Sequence, residues 1–355
     1  MAEKVLMKGN EALAEAAIQC GCKHYFGYPI TPQTEVAAYM SKRLPKIEGG
    51  VFLQAESEIA AINMVLGATA AGVRALTSSS SPGISLKSEG VSYIAGSDLP
   101  ALIVNVQRGG PGLGGIQPSQ SDYWQATKAL GHGDYQLFVL APSTVQEMVD
   151  YVALAYEVGE KYRVPAMLLS DGMLGQMMEP VEFPEKKETA TADKSWAACG
   201  HGNKREKNIV NSLYLQPQEL EDHNIERFQR YEVIKENEQR AEEFMCDDAE
   251  IIVVAFGASS RVARSAIMQA REEGIKVGMI RPITLWPFPE KIINKHVDHT
   301  KVFLDVEMNM GQMIEDVKLV LAGRKECEFF GRTGGIIPTP AEVLAKIHEL
   351  AGKEN

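Results

Sequence analysis

The stretch Gly27-Tyr28-Pro29-Ile30-Thr31-Pro32-Gln33-Thr34-Glu35 follows a short apolar run and carries two prolines. Each proline fixes its own φ and keeps the residue before it out of the helical region. We therefore expect Thr31 to be held rigidly in an extended conformation, with Pro32 in the first turn of the helix that follows. A rigid hydroxyl between a strand and a helix is suited to a small polar ligand, since ligands of open α/β sheets bind at the carboxyl ends of strands. An ordinary connecting loop is the alternative for this stretch taken alone.

Around this stretch, residues 5–171 alternate short apolar strands with helices. A first helix is expected over 9–19, with Asn10 as its N-cap. The serine-rich segment 78–83 is expected to be a loop that precedes a helix over 84–95. Alternation of this kind predicts a doubly wound parallel sheet covered by helices on both faces.

The pattern changes after residue 182, where the chain becomes polar and a charged helix is expected over 224–244. A second, smaller α/β unit begins at residue 250. The sequence therefore predicts an α/β domain at 1–185, a polar linker or helical arm at 186–249 and a second α/β domain at 250–355.

Composition excludes several classes of protein. The net charge is −11 and there is no basic block, which argues against nucleic acid or an anionic membrane surface as partner. We find no run of eighteen apolar residues and no signal-peptide pattern, so we expect no membrane association. The five cysteines are sparse and odd in number, as in a cytoplasmic protein. None has the spacing of a ferredoxin-type cluster, so we expect no iron–sulfur centre and no metal site in this chain.

Two charged residues follow predicted strands. Glu56 comes directly after the strand expected over 52–55, where a carboxylate either caps a helix or faces a ligand. Arg108 ends the very apolar strand expected over 101–107. A guanidinium that leaves a buried strand requires a partner, either a neighbouring Asp or Glu or the carboxylate of a ligand.

Two other motifs are incomplete. The glycine loop 109–115 lacks the following helix and the acidic residue of a dinucleotide-binding fingerprint. It is better interpreted as a loop that lets a ligand approach the backbone closely. Ser170-Asp171-Gly172 lacks the later asparagine of a magnesium-diphosphate motif, so its role stays ambiguous.

Taken together, several segments resemble the α-type subunit of 2-oxoacid:ferredoxin oxidoreductases. They are Gly9–Ala12, Gly27–Pro32, Gln54–Glu58, Ser78–Gly83, Gln107–Pro111, Arg281–Pro289 and Glu307–Gln312. Within that family the chain is most similar to the subunit of branched-chain enzymes that act on 3-methyl-2-oxobutanoate (2-ketoisovalerate), on the basis of Asn211–Leu215 and the acidic helix after it.

The resemblance implies a pyrimidine-type thiamine-diphosphate-binding domain followed by a transketolase C-terminal-like domain. It implies thiamine diphosphate shared with a β subunit, which would bind the diphosphate and Mg²⁺. Iron–sulfur clusters would lie in partner subunits, with γ and ferredoxin-like δ subunits completing the complex. Ferredoxin would accept the electrons, and coenzyme A would accept the acyl group.

Carried over residue by residue, Glu56 would be a buried carboxylate that hydrogen-bonds the pyrimidine ring of the cofactor. Thr31 and Arg108 would orient and neutralise the carboxylate of the 2-oxoacid. Tyr28, Pro29 and Ile30 would also contact the cofactor. The alternatives are a 2-oxoglutarate or pyruvate enzyme of the same family, a lipoyl-linked 2-oxoacid dehydrogenase subunit, and a scaffolding subunit without catalytic residues.

Overall fold

Strands and helices alternate along most of the chain in the computed structural model, which describes residues 4–183 and 193–352. The elements of the first part are β1 (Val5–Lys8), α1 (Gly9–Gln19), β2 (His24–Gly27), α2 (Thr34–Arg43), β3 (Val51–Gln54), α3 (Glu58–Ala70), β4 (Ala75–Ser79), α4 (Ser81–Gly96), β5 (Leu102–Gln107), β6 (Phe138–Leu140), α5 (Val145–Tyr162), β7 (Ala166–Asp171), α6 (Gly172–Gln176) and β8 (Met178–Val181). Those of the second part are α7 (Pro217–Asn237), β9 (Ala241–Phe244), β10 (Ile251–Val254), α8 (Gly257–Glu272), β11 (Val277–Pro282), β12 (Thr284–Trp286), α9 (Glu290–His296), β13 (Val302–Glu307), α10 (Met313–Leu321), β14 (Glu326–Gly331) and α11 (Pro340–Gly352).

The first sheet has the strand order β12-β6-β7-β5-β4-β2-β3, and its neighbours are parallel except at β12. Its central strands β4, β5 and β7 are buried along their whole length because helices cover both faces. The chain passes from β2 outward to β3 and then returns to β4 on the other side of β2. The strand order therefore reverses between β2 and β4, and such a reversal opens a crevice at the carboxyl ends of the strands.

The second sheet has the order β14-β13-β10-β11-β9, with only β9 antiparallel to its neighbour. β12 leaves this second unit and pairs antiparallel with β6 of the first sheet. The α/β architecture with two largely parallel sheets is as predicted, and the strand β12 joins the two halves. The predicted boundary at 185/186 lies outside the described residues, and we keep the three-part division as a proposal.

Some local predictions are wrong. Asn10 is not the N-cap of α1, which begins at Gly9 with Lys8 in the capping position; Asn10 is buried and donates to the carbonyl oxygen of Pro32. The predicted loop 78–83 is strand up to Ser79 and helix from Ser81, because Pro82 fits the first turn of α4. Pro32 lies before α2 and not in its first turn, since Gln33 is the N-cap.

The charged helix is also displaced from its predicted position. It spans Pro217–Asn237, and residues 241–244 instead form β9 on the edge of the second sheet. The predicted helix 224–244 ran too far because the charged residues after position 237 belong to a short, half-exposed edge strand. Strands of this kind carry charged side chains that discourage pairing with other chains.

Candidate active site

The carboxyl ends of β2, β3, β4 and β5 meet where the strand order reverses. Thr31 follows β2, Glu56 follows β3, and Arg108 follows β5. Gly27 and Gln54 are paired in register at the ends of β2 and β3, and the amide of Ala55 donates to the carbonyl oxygen of Gly27. The structure thus brings the three predicted catalytic residues to one edge of one sheet.

Arg108 is buried, with only 6% of its surface exposed. Its Nη1 donates to the carbonyl oxygen of Thr31 at 3.0 Å and its Nη2 to that of Leu113 at 3.1 Å. Nε is buried and has no partner within the described residues, none of whose carboxylates forms an ion pair with this guanidinium. The alternative of an internal ion pair is therefore not what is found. A guanidinium held by two carbonyl groups is left to pair with an anionic ligand.

A buried carboxylate lies behind Arg108. Asp122 Oδ2 accepts from the hydroxyl of Ser81 at 2.6 Å and from Asn105 Nδ2 at 2.9 Å. The Ser81 oxygen in turn accepts the backbone N–H of Arg108 at 3.0 Å, and the backbone N–H of Asp122 donates to Gln107 Oε1. Burial raises the pKa of Asp122, although the hydrogen bonds from Ser81 and Asn105 and the charge of Arg108 oppose that change. This network fixes the backbone from which the guanidinium extends.

A second hydrogen-bonded chain spans the crevice between β2 and β4. Ser78 Oγ donates to Gln33 Oε1 at 2.5 Å, and the hydroxyl of Tyr25 lies 2.8 Å from the same Ser78 oxygen. Gln33 Nε2 donates to the carbonyl oxygen of Tyr28 at 3.1 Å. The segment that begins at Tyr28 is thereby attached to β4. These hydrogen bonds, in addition to the rigidity of the two prolines, hold the proline-rich stretch in position.

Glu56 is exposed in this chain, so the predicted burial of its carboxylate is wrong for the chain alone. Its Oε1 accepts the hydroxyl hydrogen of Ser57 at 2.9 Å, and Ser57 is the N-cap of α3. The physical reason for the exposure is the position of β3, which forms the outer edge of the first sheet and leaves Val51 and Leu53 exposed as well. Nothing within the described residues covers this edge.

The remaining predicted contact residues share this exposure. Tyr28, Pro29 and Thr31 are exposed and Ile30 is half-buried. The site therefore has a buried wall at Arg108 and an open side at β3.

The second half of the chain supports the loop that follows Arg108. Gly109 packs against Gly334, whose carbonyl carbon would lie 3.4 Å from a Cβ built on Gly109. Farther along, Gln120 Nε2 donates to the carbonyl oxygen of Phe256 at 2.6 Å, and the backbone N–H of Met308 donates to Gln120 Oε1 at 3.0 Å. The backbone that approaches Gly109 closely is thus that of Gly334, in the second unit of the same chain.

The role of Asp171, which the sequence leaves ambiguous, is explained by its hydrogen bonds in the fold. Its carboxylate accepts the backbone N–H groups of Met173 and Leu174 in α6 and of Ala258 in α8. Burial raises its pKa to about 6 from 3.8, with these bonds opposing the change. Asp171 thus connects the two halves of the chain.

The sequence reasoning missed Gln33, Asn105 and Asp122. Asp122 lies fourteen residues beyond Arg108 in a loop without a motif, and nothing in the sequence signals its position. Across the residues that the structure describes, no cluster of three or more His, Cys, Asp or Glu side chains could hold a metal ion. Likewise, none of the described helices has the length and apolar character needed to cross a membrane.

Comparison with known proteins identifies relatives along the whole chain. Residues 15–243 match the family model described as pyruvate flavodoxin/ferredoxin oxidoreductase, thiamine diphosphate-binding, and residues 249–343 match that of pyruvate:ferredoxin oxidoreductase core domain II. The chain is 50% identical to ketoisovalerate oxidoreductase subunit VorB of Methanothermobacter marburgensis, over 99% of both chains. It is 38% identical to 2-oxoglutarate synthase subunit KorA of the same organism, over 98% of this chain and 99% of that one.

Solved structures agree with these matches. The chain superposes on the 2-oxoglutarate:ferredoxin oxidoreductase of Magnetococcus marinus with a TM-score of 0.89 and 28% identity, over 98% of this chain and 65% of that longer one. A split-gene transketolase, with a TM-score of 0.59 and 12% identity, shares the fold alone. On this evidence of sequence, fold and site, the chain belongs to the family of 2-oxoacid:ferredoxin oxidoreductase subunits that contain a thiamine-diphosphate-binding domain.

Proposed function

We propose that this chain is the α-type subunit of a branched-chain 2-oxoacid:ferredoxin oxidoreductase. With partner subunits it would decarboxylate 3-methyl-2-oxobutanoate oxidatively, to an acyl-coenzyme A and carbon dioxide. Two ketoisovalerate oxidoreductase subunits are 50% and 51% identical to it, whereas the 2-oxoglutarate subunits reach 38% and the pyruvate subunits 31%. The observation that carries the site assignment is the buried Arg108 guanidinium, which the carbonyl group of Thr31 holds and which forms no ion pair with a carboxylate of the described residues.

The residues at the open edge fit a cofactor that two chains share. Glu56, Tyr28 and Pro29 are exposed beside the edge strand β3, so this chain can cover one side of a ring and leaves the other side for a partner. Bound thiamine diphosphate would supply the nucleophilic carbon and the electron sink for decarboxylation. Glu56 would hydrogen-bond the pyrimidine ring through its carboxylate, whose orientation the hydroxyl of Ser57 sets. Tyr28, Pro29 and Ile30 would line the same ring.

Substrate binding would rest on Arg108 and Thr31. A 2-oxoacid carries a carboxylate beside its keto group, and a guanidinium is the best geometric partner for a carboxylate. The Arg108 guanidinium, which has no ion pair within the described residues, and the exposed residue Thr31 would both bond such an anion. Because Asp122 and Ser81 fix the Arg108 backbone, the cation does not have to reorganise when the substrate binds.

The partner subunits follow from what this chain provides. We propose a β subunit that binds the diphosphate and Mg²⁺ and covers β3, and γ and ferredoxin-like δ subunits that carry the iron–sulfur clusters. The five cysteines here are all free, and their spacing gives no cluster motif. Electrons would leave through those subunits to ferredoxin.

The test is a substrate panel on the complete complex. The complex reconstituted from all subunits is assayed for viologen reduction with 3-methyl-2-oxobutanoate, 2-oxoglutarate, pyruvate and indolepyruvate, each with coenzyme A. We expect the highest kcat/KM for 3-methyl-2-oxobutanoate and no activity of this chain alone. A preference for 2-oxoglutarate would overturn the substrate assignment, and reduction with none of the four would overturn the proposed function.

A further inference from the structure

Lys87 in α4 is completely buried. Its ammonium nitrogen donates to Thr77 Oγ1 at 2.5 Å and to the carbonyl oxygen of Ser78 at 3.0 Å, both in β4. A lysine is almost never fully buried unless a carboxylate pairs with it. Lys87 has no ion pair with any carboxylate of the described residues, so its burial requires another explanation.

The negative charge that acts on Lys87 belongs to Glu58, in the first turn of α3. Glu58 is buried, lies two residues after Glu56 and is the one charged group that acts appreciably on Lys87. Its Oε1 and the hydroxyl of Ser79 converge on Gly83: they lie 2.7 Å and 2.1 Å from the point that a Cβ on Gly83 would occupy. Glycine at position 83 is what allows the two groups to meet there. We call Glu58, Thr77, Ser79, Gly83 and Lys87 the buried cluster.

The buried cluster is costly to maintain. Burial lowers the pKa of Lys87 from 10.5 to about 7, and the charge of Glu58 opposes only part of this change. The hydroxyl of Ser79 is buried and has no hydrogen-bond partner among the residues that the structure describes, and the same is true of Ser80 beside it. Polar groups that are buried and incompletely bonded destabilise a fold, and they concentrate at functional sites.

The cluster lies directly behind the predicted cofactor side of the site. Lys87 bonds the carbonyl oxygen of Ser78 in β4. The hydroxyl group of Ser78 in turn bonds Gln33 and Tyr25, and Gln33 bonds the carbonyl oxygen of Tyr28. Glu58 belongs to the helix turn that begins just after Glu56. Arg108 and Asp122 are the other charged groups at this edge. Both are hydrogen-bonded to the hydroxyl group of Ser81, next to the end of β5.

We propose that Lys87 is a positioning residue: from behind the sheet it holds the end of β4 and the first turn of α3, and so sets the orientation of Glu56 and of the Tyr28 segment toward the cofactor ring. This inference rests on the proposed function. The backbone of Arg108 is held separately by Asp122 and Ser81, whereas its guanidinium shares the Tyr28 segment through the carbonyl oxygen of Thr31.

The test uses Lys87→Met in the complete complex, because methionine keeps the length and removes the charge. The matched control is Lys346→Met, which removes a lysine paired with Glu349 in α11 at 2.9 Å. Thiamine diphosphate is titrated into the cofactor-free complex to obtain its Kd, and kcat, KM for the 2-oxoacid and Tm are measured beside it. We expect the cofactor Kd and kcat of Lys87→Met to worsen on the order of tenfold, as for a small misplacement of a catalytic group. KM for the 2-oxoacid should change less than the cofactor Kd, because Asp122 and Ser81 hold the Arg108 backbone, and Tm should not fall below that of the control.

A second variant, Gly83→Ala, disturbs the cluster without changing its charge. The added Cβ would displace the Glu58 carboxylate and the Ser79 hydroxyl, so it should also weaken cofactor binding more than it changes KM for the 2-oxoacid. Adding Glu58→Gln to Lys87→Met should recover part of the cofactor affinity, because the single variant leaves the Glu58 charge without its counter-charge. The pH profile of kcat in the wild-type complex should change near neutrality, and that of Lys87→Met should lose this change.

If Lys87→Met and Gly83→Ala lower Tm but leave cofactor Kd, kcat and the pH profile unchanged, Lys87 is only structural and the inference is wrong. Failure of the proposed function is distinguishable, because the wild-type complex itself would then neither bind thiamine diphosphate nor oxidise a 2-oxoacid.

Discussion

Two regions of this molecule bury cations in opposite ways. At the junction of the two halves, Arg281 is 4% exposed and makes a bidentate ion pair with Glu147, at 2.6 Å and 3.0 Å, and a third bond to Glu242 at 2.7 Å. At the carboxyl edge of the first sheet, Lys87 and Arg108 are equally buried but bond only hydroxyl and carbonyl oxygens. Neither forms an ion pair within the described part of the chain.

The difference separates a structural charge from the charges that we propose to be functional. Burial alone would lower the pKa of Arg281, but Glu147 and Glu242 raise it overall, so this cation is stabilised in the fold. The pKa of Lys87 falls because nothing compensates its burial fully. A cation whose donors are all satisfied holds two elements together, whereas one left without a counter-ion is available to an anion or to the groups around a site.

The largest effect is expected where the charge is fully paired. Arg281→Met should lower the free energy of unfolding by about 3–5 kcal/mol, because it leaves the Glu147 carboxylate without its counter-charge. Chemical denaturation at pH 7 measures this, with Arg264→Met as control: Arg264 also pairs with Glu242 but is 37% exposed, and its loss should cost at most about 1 kcal/mol.

The same pair predicts a pH dependence. Burial opposes ionisation of Glu147, but Arg281 and Ser143 lower its pKa overall. A depressed carboxyl pKa gives stability that is present above the unfolded value of 4.5 and is lost as the pH falls through the folded value. The deficit of Arg281→Met should therefore shrink in acid; a deficit that stays constant to pH 3 would mean that the pair contributes nothing by charge.

Arg108→Ala tests the unpaired cation nearest the substrate. We expect kcat/KM for the 2-oxoacid to fall by an amount equivalent to about 2–5 kcal/mol, the cost of removing one partner of a desolvated charge pair. The free energy of unfolding should change much less than in Arg281→Met, because no carboxylate within residues 4–183 and 193–352 loses an ion pair. Steady-state kinetics of the complex and denaturation of the chain give the two numbers, and an unchanged kcat/KM for every 2-oxoacid tried would remove Arg108 from the site.

Glu56→Gln should lower turnover about a hundredfold or more, the usual cost of losing an acid–base group. Its exposure in this chain means that Tm should stay at the wild-type value. Glu48→Gln, an exposed change just before β3, is the control for turnover. Near-normal turnover of Glu56→Gln in the assembled complex would exclude the catalytic role.

Lys87→Met should leave the isolated chain as stable as the wild type or more stable, since it removes a desolvated charge that the charge of Glu58 offsets only in part. The pKa of Lys87 in the folded chain is about 7, below its ordinary value of 10.5. Below pH 7 the charged ammonium group is therefore present in the fold and its whole destabilising effect is felt. The advantage of Lys87→Met should therefore decline as the pH rises from 7 to 10.5. Denaturation at pH 6 and pH 9.5 measures it, and a stability loss at both values would contradict the comparison with Arg281.

The smallest effect is expected at Gln120, a neutral link between the halves. Gln120→Ala should cost about 1–3 kcal/mol, because the carbonyl group of Phe256 and the amide of Met308 lose their side-chain partner. Gln218→Ala on the exposed face of α7 is the control. If the loss at Gln120 matches that of the control, the link does not hold the halves together.

Much of the fold was predictable, because the period of apolar residues identifies strands and helices directly. Where the prediction failed, tertiary contacts decided the outcome. Asn10 has the chemistry of an N-cap, yet it is buried in α1, where it bonds the backbone of Pro32. Residues 241–244 continue a charged helical pattern, yet they add a strand to the second sheet because β11 offers them a free edge.

The site was predictable in part for the same reason. Thr31, Glu56 and Arg108 each follow a predicted strand, and parallel strands end at a common edge, so their proximity followed from the pattern. The exposure of Glu56 did not, because it depends on β3 being the outermost strand. Asp122 and Lys87 could not be found either, since each reaches the site from a loop or helix whose approach only the packed structure defines.

By itself, the sequence determined the α/β class, the family and the sheet edge at which we propose that the chemistry takes place, because local periodicity and short motifs encode these. Only the tertiary structure decided which charges are compensated. Compensation depends on distances between groups far apart in the chain: Arg281 meets the Glu147 carboxylate across 134 residues, whereas Arg108 meets the uncharged carbonyl group of Thr31 across 77. That difference in partners, which no local pattern records, makes one cation part of the framework and leaves the other available to a ligand.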